Sequence, residues 1–237
     1  MKLTPRLSVI VELVDPGAKV IDVGTDHGYI PLYLIENRIA QRCIASDVNE
    51  GPLNAAKETL ATFGVLDKVS LRLGNGLQVL SSSDDIDTVV IAGMGGETII
   101  SILENSLSLI LNSKLILQPM TDVILVREFL VKRGFTIIDE KIAKEENRFY
   151  EILKAVKMGE KTEYTYKELR LGPVLLQKNN KLFVEYINKQ VLKNERIILN
   201  LKNSNKTDGK ISVFERDNAL LKEVLGEIEG TRNSTDY

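Results

Sequence analysis

The sequence predicts an α/β chain in which a mostly parallel, doubly wound sheet is followed by a helical hairpin, and three observations predict it. Between residues 18 and 158, short β-branched runs alternate with amphipathic helical stretches. The spacers between the first five runs are long enough for the crossover helices that parallel neighbours require. After Gly159 the strand signals stop and a helical periodicity takes over.

The first five apparent strands are KVIDV (19–23), RCIAS (42–46), KVSLRL (68–73), DTVVIA (87–92) and KLILQ (114–118). Between the second and third lies NEGPLNAAKETLATFG, where Pro52 suits a first helical turn and Gly64 a stop. The last two strands, FTIIDEKI (135–142) and YEILKAV (150–156), are separated only by AKEENRF. That spacer is too short for a crossover, so the pair should form an antiparallel hairpin at the edge of a seven-stranded sheet. Beyond Gly159, Leu182, Tyr186, Val191, Leu192 and Ile198 fall at spacings suited to a long helix with one buried stripe. The polar break NSNKTDGK (203–210) precedes a second helical stretch, VFERDNALLKEVLGEIEG, and the chain ends in a disordered-looking TRNSTDY. Two helices and a turn make an antiparallel hairpin. The expected domains are therefore 1–158 and 159–237.

With 237 residues, 43% of them apolar, the chain can bury a substantial core. It holds no uncharged apolar run of about 18 residues, and MKLTPRL lacks the apolar stretch of a signal peptide. A cytoplasmic protein without a membrane partner is expected, a monomer or weak dimer. One cysteine and one histidine exclude an internal disulfide and argue against a zinc centre, so no metal is expected. Cys43, inside an apolar strand, reads as core. The net charge of −2 conceals an asymmetry: residues 1–158 carry 17 basic and 21 acidic side chains, residues 161–210 carry 11 and 5. A nucleic-acid partner would meet the later segment, although lysine-rich helical faces are also ordinary solvated surface.

The loop VIDVGTDHGYIP follows the first strand, where open α/β sheets bind ligands. A dinucleotide fingerprint needs a glycine two residues after Gly24, and Asp26 stands there instead. A carboxylate at a helix N-terminus repels a diphosphate, which disfavours NAD or FAD. Asp22-x-Gly24-x-x-x-Gly28 is instead the pattern of Rossmann-like methyltransferases, whose donor, S-adenosylmethionine, presents an ammonium and a sulfonium to such an acidic loop. The competing reading is a plain strand-to-helix turn with Asp26 as a cap. Asp47, about 20 residues on, stands where an acid accepts ribose hydroxyls. Gly74-Asn75-Gly76 follows the third strand, where this class contacts adenine. The expected cofactor set is therefore Asp22, Gly24, Thr25, Asp26, Gly28, Asp47, Val48, Gly74, Asn75, Gly76, Ala92, Gly93 and Met94. A second glycine cluster, AGMGGET, ends the fourth strand on the acceptor side, where Gly95 and Gly96 would let a flat ring approach the backbone. Gln118-Pro119 offers an amide to a base edge, or simply terminates the fifth strand.

VGTDHGYIP, SDVNEGPLNAA, LRLGNGL, VVIAGMGGETI and LILQP, in that order and spacing, closely resemble the bacterial tRNA (adenine(22)-N1)-methyltransferases. The likeness runs on through RFYEI and GPVLL into the helical segment, so it covers nearly the whole chain. It implies a Rossmann-like class I methyltransferase domain, a C-terminal coiled-coil hairpin, and methyl transfer from S-adenosylmethionine to N1 of an adenine in tRNA. Two departures stand out: Ser46-Asp47-Val48 replaces the family's frequent Gly-Glu-Val, and Gly74-Asn75-Gly76 its usual Gly-Asp-Gly. Both keep a hydrogen-bonding group and bear on cofactor affinity more than on activity.

Adenine N1 is a neutral nucleophile at pH 7, so alignment with the donor methyl is the main requirement. The product ring is cationic, and Asp26 and His27 are candidates to stabilise it. Gln118 and Pro119 complete the expected catalytic group. His27 could equally pack at a helix start. Arg6 reads as a phosphate contact or surface charge, and Tyr29 as a base-stacking ring. Lys178, Lys181, Lys189 and Lys193 are the expected tRNA contacts of the hairpin, whose other reading is structural or dimerising. A nicotinamide-dependent oxidoreductase and an inactive RNA-binding module are the alternatives from other classes.

Overall fold

A computed structural model describes residues 1–158, 162–203 and 209–235. The chain divides into two compact units, Met1–Val174 and Leu175–Tyr237. The strands of the first are β1 (Ala18–Val23), β2 (Ala40–Asp47), β3 (Val69–Leu73), β4 (Thr88–Met94), β5 (Lys114–Pro119), β6 (Phe135–Glu145) and β7 (Arg148–Lys157). Its helices are α1 (Pro5–Glu12), α2 (Tyr29–Glu36), α3 (Glu50–Thr62), α4 (Gly96–Glu104), α5 (Leu107–Ile110), α6 (Val123–Lys132) and α7 (Tyr166–Leu171). Then come α8 (Pro173–Lys178), α9 (Lys181–Asn203) and α10 (Lys210–Thr235).

All seven expected strands form one sheet in the order β3-β2-β1-β4-β5-β7-β6. β1 to β5 are parallel, and β7 runs antiparallel to both β5 and β6, so the predicted hairpin supplies the edge, with β7 turned inward. The strands are apolar on both faces, as crossover helices require. Val20, Val90 and Ile116 pack on one side with Ile10, Val11 and Leu32 of α1 and α2. Their neighbours Ile21, Val89, Ile91 and Leu117 pack on the other with Leu103 of α4 and Phe129 and Leu130 of α6. Cys43 is buried in the first cluster, as expected of a core thiol. This alternation fixes which strand ends share a ligand face.

The first unit runs about one helix past the expected boundary at 158. The reason is a buried charge cluster. Arg127 of α6 donates to Glu140 (2.9 Å), Glu151 (2.7 Å) and the Leu169 carbonyl (3.0 Å), while Glu140 accepts from the Val174 amide (2.9 Å). Those bonds tie residues 169–174 to the hairpin of β6 and β7. Gly172 (φ +91°) permits the close passage, since a Cβ there would lie 2.5 Å from Glu140 Oε2.

The single long helix expected after Gly159 is interrupted, with Gly172-Pro173 separating α7 from α8 at the end of the first unit and Asn179 (φ +33°) preceding α9 in the second. α9 and α10 pack antiparallel, with Glu195–Lys222 (2.8 Å) and Lys202–Glu215 (3.0 Å) joining them. The buried stripe of α9 is Phe183, Ile187, Val191 and Asn194, at spacings of three and four, with the expected Tyr186 buried beside it. Leu192, expected in that stripe, is 65% exposed, because it follows Val191 by about 100° of helical turn. Most of the predicted break at 203–210 lies outside the described residues. The tail read as disordered is helical through Thr235.

Candidate active site

The strand order reverses between β1 and β4, and the cleft outside their carboxyl ends is where such sheets bind ligands. β1 leaves the sheet through Asp22-Val23 into Gly24 (φ +75°), whose left-handed backbone favours glycine. The Gly24 and Thr25 amides both donate to the Ser46 carbonyl (2.8 and 2.9 Å), which pins the loop to the end of β2. His27 (φ +57°) and Gly28 (φ +67°) then turn the chain into α2. A Cβ on Gly28 would approach Ala56 Cβ to 3.1 Å, so this glycine lets α2 close on α3.

Two cavities open at these strand ends, both within the first unit. One, of about 480 Å³, is walled by Ser46, Asp47 and Val48 at the end of β2, by Gly74, Asn75 and Gly76 after β3, and by Glu97, Thr98, Ser101 and Ile102 of α4. The other, of about 490 Å³, is walled by Thr4, Arg6 and Leu7, by Asp22, Asp26 and Tyr29, by Ala92 and Gly93, and by Glu145 at the end of β6. Gly24, Asp47 and Met94 belong to both. A Cβ on Gly24 would overlap Met94 Cε, so the shared wall exists only because this residue has no side chain.

The walls are acidic. Asp22 is buried, and that burial, reinforced by the charge of Asp47, pushes its carboxyl up to about 6. Asp47 accepts the Asn49 amide on one oxygen (2.8 Å). Ser46 Oγ and Glu145 Oε1 are buried without a hydrogen-bond partner among the described residues. Unpaired buried polar atoms are costly, and their concentration at one cleft marks a place built to receive polar groups.

Around the second cavity one amide organises the wall. The fully buried Gln118 accepts from Arg6 Nη1 (2.8 Å) and the Gly93 amide (3.1 Å), and its own NH₂ donates to the Pro119 carbonyl (3.0 Å). The Arg6 guanidinium also lies over the Tyr150 ring, 5.7 Å from its centroid. Gln118 therefore holds Arg6 and the Gly93 turn instead of presenting a free amide to a base edge. Pro119 continues β5 beside Met94 and lines neither cavity.

Other expected residues are placed differently. His27 lines neither cavity; its ring stacks on Tyr29 (5.4 Å, 16°) and its Nε2 lies 3.5 Å from Asp26. Thr25 is buried beneath the loop, behind the lining residues. Gly95 and Gly96 also stand outside both walls. A Cβ on Gly96 would come within 2.8 Å of the Thr121 carbonyl oxygen, so this glycine serves the packing of α4 on the loop before α6. Lys178, Lys181, Lys189 and Lys193 are exposed residues of the second unit.

The sequence model of the family described as tRNA (adenine(22)-N(1))-methyltransferase matches residues 20–223. The chain belongs to this family. It is 31% identical over 233 residues to the tRNA (adenine(22)-N(1))-methyltransferase of Bacillus subtilis, covering 95% of this chain and 98% of that one. A Streptococcus pneumoniae structure in complex with S-adenosyl-L-methionine is similar at 32% identity and a TM-score of 0.85, over 94% of this chain and all of the other. The M. capricolum TrmK, solved with S-adenosyl-homocysteine, is similar at 25% identity and a TM-score of 0.79, over 97% and 99%.

Sequence reasoning missed the α4 face and Glu145. Glu97, Thr98, Ser101 and Ile102 recur at spacings of one and three, a half-polar helix face directly after a strand-end glycine loop, which is a readable signal. Glu145 sits beside the two-residue turn Glu146-Asn147, and local sequence gives it the look of any solvated hairpin tip.

Proposed function

We propose that this protein transfers a methyl group from S-adenosylmethionine to N1 of adenine 22 in tRNA, in the cytoplasm. The observation that carries the reading is the pair of cavities meeting at Gly24, Asp47 and Met94 beneath the family's own sequence blocks. The residues present fit the donor: the acidic walls suit an ammonium and a sulfonium, and Ser46 Oγ and the second Asp47 oxygen remain for hydroxyl or amino donors. The same acidity opposes a diphosphate, which weighs against a nicotinamide cofactor.

When bound, S-adenosylmethionine supplies the methyl group as a sulfonium electrophile. The chain's own part is chiefly placement, because adenine N1 already carries its lone pair at neutral pH. Asp47 holds the ribose, and Val48, Asn75 and Gly76 line the adenosine side. Gln118 sets the Gly93 turn and Arg6, which shape the acceptor side. Tyr29, backed by the His27 ring, offers a stacking face to the target base. Asp26, at the mouth, adds negative potential toward the cationic product. No group has to remove a proton.

The exposed lysines of the second unit are read as phosphate contacts that carry tRNA to the first. The decisive experiment incubates unmodified tRNA transcript with the enzyme and methyl-labelled donor, followed by nucleoside mass analysis. One 1-methyladenosine per tRNA, lost when position 22 is changed to uridine, is expected. Label in another nucleoside would overturn the reading.

A further inference from the structure

The second cavity contains a carboxylate that the placement of the donor does not use. Glu145 ends β6, the longest strand, whose pairing with β7 slips between Ile137 and Asp139. The hairpin's Ala143 and Ile152 pack in the same cluster as Ile10 and Val11 of α1. That packing brings the hairpin tip to the N-terminal segment, where Arg6 lies over Tyr150. Glu145 thus joins Thr4, Arg6, Tyr29 and Gly93 as cavity wall. Its Oε1 is buried and meets no donor among the described residues, while the nearby guanidinium is engaged by Gln118 and Tyr150. A buried acceptor left open in a ligand cavity is a demand for a donor from the ligand.

We propose that Glu145 is a catalytic and specificity-determining residue that accepts a hydrogen bond from the exocyclic amino group of the target adenine. This rests on the methyltransferase reading above. Adenine carries its N6 amino group next to N1, so a carboxylate bonded to N6–H also fixes the direction in which N1 points. In the transfer, the N1 lone pair forms the N–CH₃ bond as the S–CH₃ pair returns to sulfur, which becomes a neutral thioether. The positive charge moves onto the N1–C6–N6 unit, and no proton leaves. A carboxylate on N6–H therefore binds the transition state more strongly than the neutral base, which is the condition for acceleration. The same carboxylate rejects guanine, which presents an oxygen acceptor at that position. Asp22 and Asp47 stand at the carboxyl ends of β1 and β2 and Asp26 in the loop after β1, on the donor's side; Glu145 alone of the cavity's acids comes from the hairpin.

The test is a cycle between enzyme and substrate. Wild type, Glu145→Gln and Glu145→Ala are assayed with tRNA carrying either adenine or unsubstituted purine, which lacks the amino group, at position 22. Calorimetry with S-adenosylmethionine and thermal melting are run on each protein. On adenine, Glu145→Ala should lower kcat about a hundredfold and Glu145→Gln about tenfold, in the range for losing one charged hydrogen bond. On purine, wild type should itself be slow, and Glu145→Ala should slow it by less than about threefold further, the non-additivity of two groups that touch. Donor affinity should be unchanged. Equal loss on both substrates, wild-type rates for Glu145→Ala on adenine, or weakened donor binding would each overturn the proposal. If Glu145→Ala does not melt cooperatively, the same cycle with Glu145→Gln decides. Absence of 1-methyladenosine with the wild-type enzyme would overturn the methyltransferase reading itself, a result distinct from all of these.

Discussion

Two groups of charged side chains are withdrawn from water in the first unit, and they are treated in opposite ways. Around Arg127 everything is closed: three hydrogen bonds leave the guanidinium for Glu140, Glu151 and the Leu169 carbonyl, and Glu140 accepts the Val174 amide as well. Burial alone would depress the Arg127 pKa, but Glu151 and Glu140 outweigh it and raise it, while burial pushes the Glu140 carboxyl up against the pull of Arg127. In the cleft, Asp22 is buried beside the like charge of Asp47, and Ser46 Oγ and Glu145 Oε1 have no partner among the described residues. A closed cluster fixes backbone; an open one waits for a ligand. Completeness of pairing, more than burial, is what distinguishes the two groups.

The largest effect that could break this comparison is at Arg127. Arg127→Met strands two buried carboxylates and should cost about 3–5 kcal/mol, read as the shift in urea unfolding. Replacing Arg127, Glu140 and Glu151 together by apolar residues of similar volume should restore most of that loss. A single substitution with little effect would mean the cluster is not the clamp on residues 169–174. At the open site the pattern should invert: Asp47→Ala leaves the fold intact and weakens S-adenosylmethionine binding by about 1.5–3 kcal/mol, the range for hydrogen bonds to a charged group. Gly24→Ala should reduce binding at least as much, by forcing Met94 into the shared wall. Calorimetry on both variants checks this, and unchanged donor affinity for Asp47→Ala would remove it from the ribose.

The same distinction explains what the sequence could disclose. That Asp22, Gly24, Asp47 and Gly74–Gly76 line the cleft was legible because each lies at the end of a β-run or within three residues after it, and a strand end in an open α/β sheet is already an address. The seven strands were legible for a related reason, since crossover length decides parallel against antiparallel. Residues whose purpose depends on distant partners were not. Arg127, Glu140 and Glu151 are ordinary surface types until the chain brings α6 and the hairpin together, so the unit boundary near Val174 had no local mark. Gln118 looked like a free amide because its partners, Arg6 and Gly93, lie 112 and 25 residues away. Gly96 looked like room for a ring, yet the Thr121 and Asp122 backbone fills that space.

The second unit offers a third kind of charge, one exposed to solvent. Lys178, Lys181, Lys189 and Lys193 are exposed, so their attraction for phosphate is screened by salt and indifferent to sequence. Replacing all four by Glu should weaken tRNA binding at physiological salt by about tenfold or more and reduce the slope of log affinity against log salt by about 2 or more. S-adenosylmethionine affinity should stay as it was. Filter binding across a salt series measures the slope. An unaltered slope together with a lowered melting temperature would assign the lysines to the hairpin's own structure.

The smallest expected effect is the most specific to the open site, and it comes from the titration of Asp22. Its carboxyl, raised from the usual 3.8 to about 6 by burial, holds a proton in the free protein that it does not hold when unfolded. Between roughly pH 4 and 6 the folded state therefore binds more protons, so this group's contribution to stability falls as pH rises through that window and is constant above it. A cationic donor reverses the preference, because it favours the charged carboxylate. Donor affinity should rise with pH over the same range: relative to pH 8, the dissociation constant should be about twofold higher at pH 6 and about tenfold higher at pH 5. At pH 5.5 binding should release protons, seen as a dependence of the calorimetric enthalpy on the buffer's ionisation heat, and at pH 8 it should release almost none. Asp22→Asn should flatten both dependences. The Arg127 cluster predicts no such signal, because its partners are the same with and without ligand. A flat affinity profile for the wild-type protein between pH 5 and 8 would place the Asp22 carboxylate out of reach of the donor's charge and leave its burial to be explained by the fold alone.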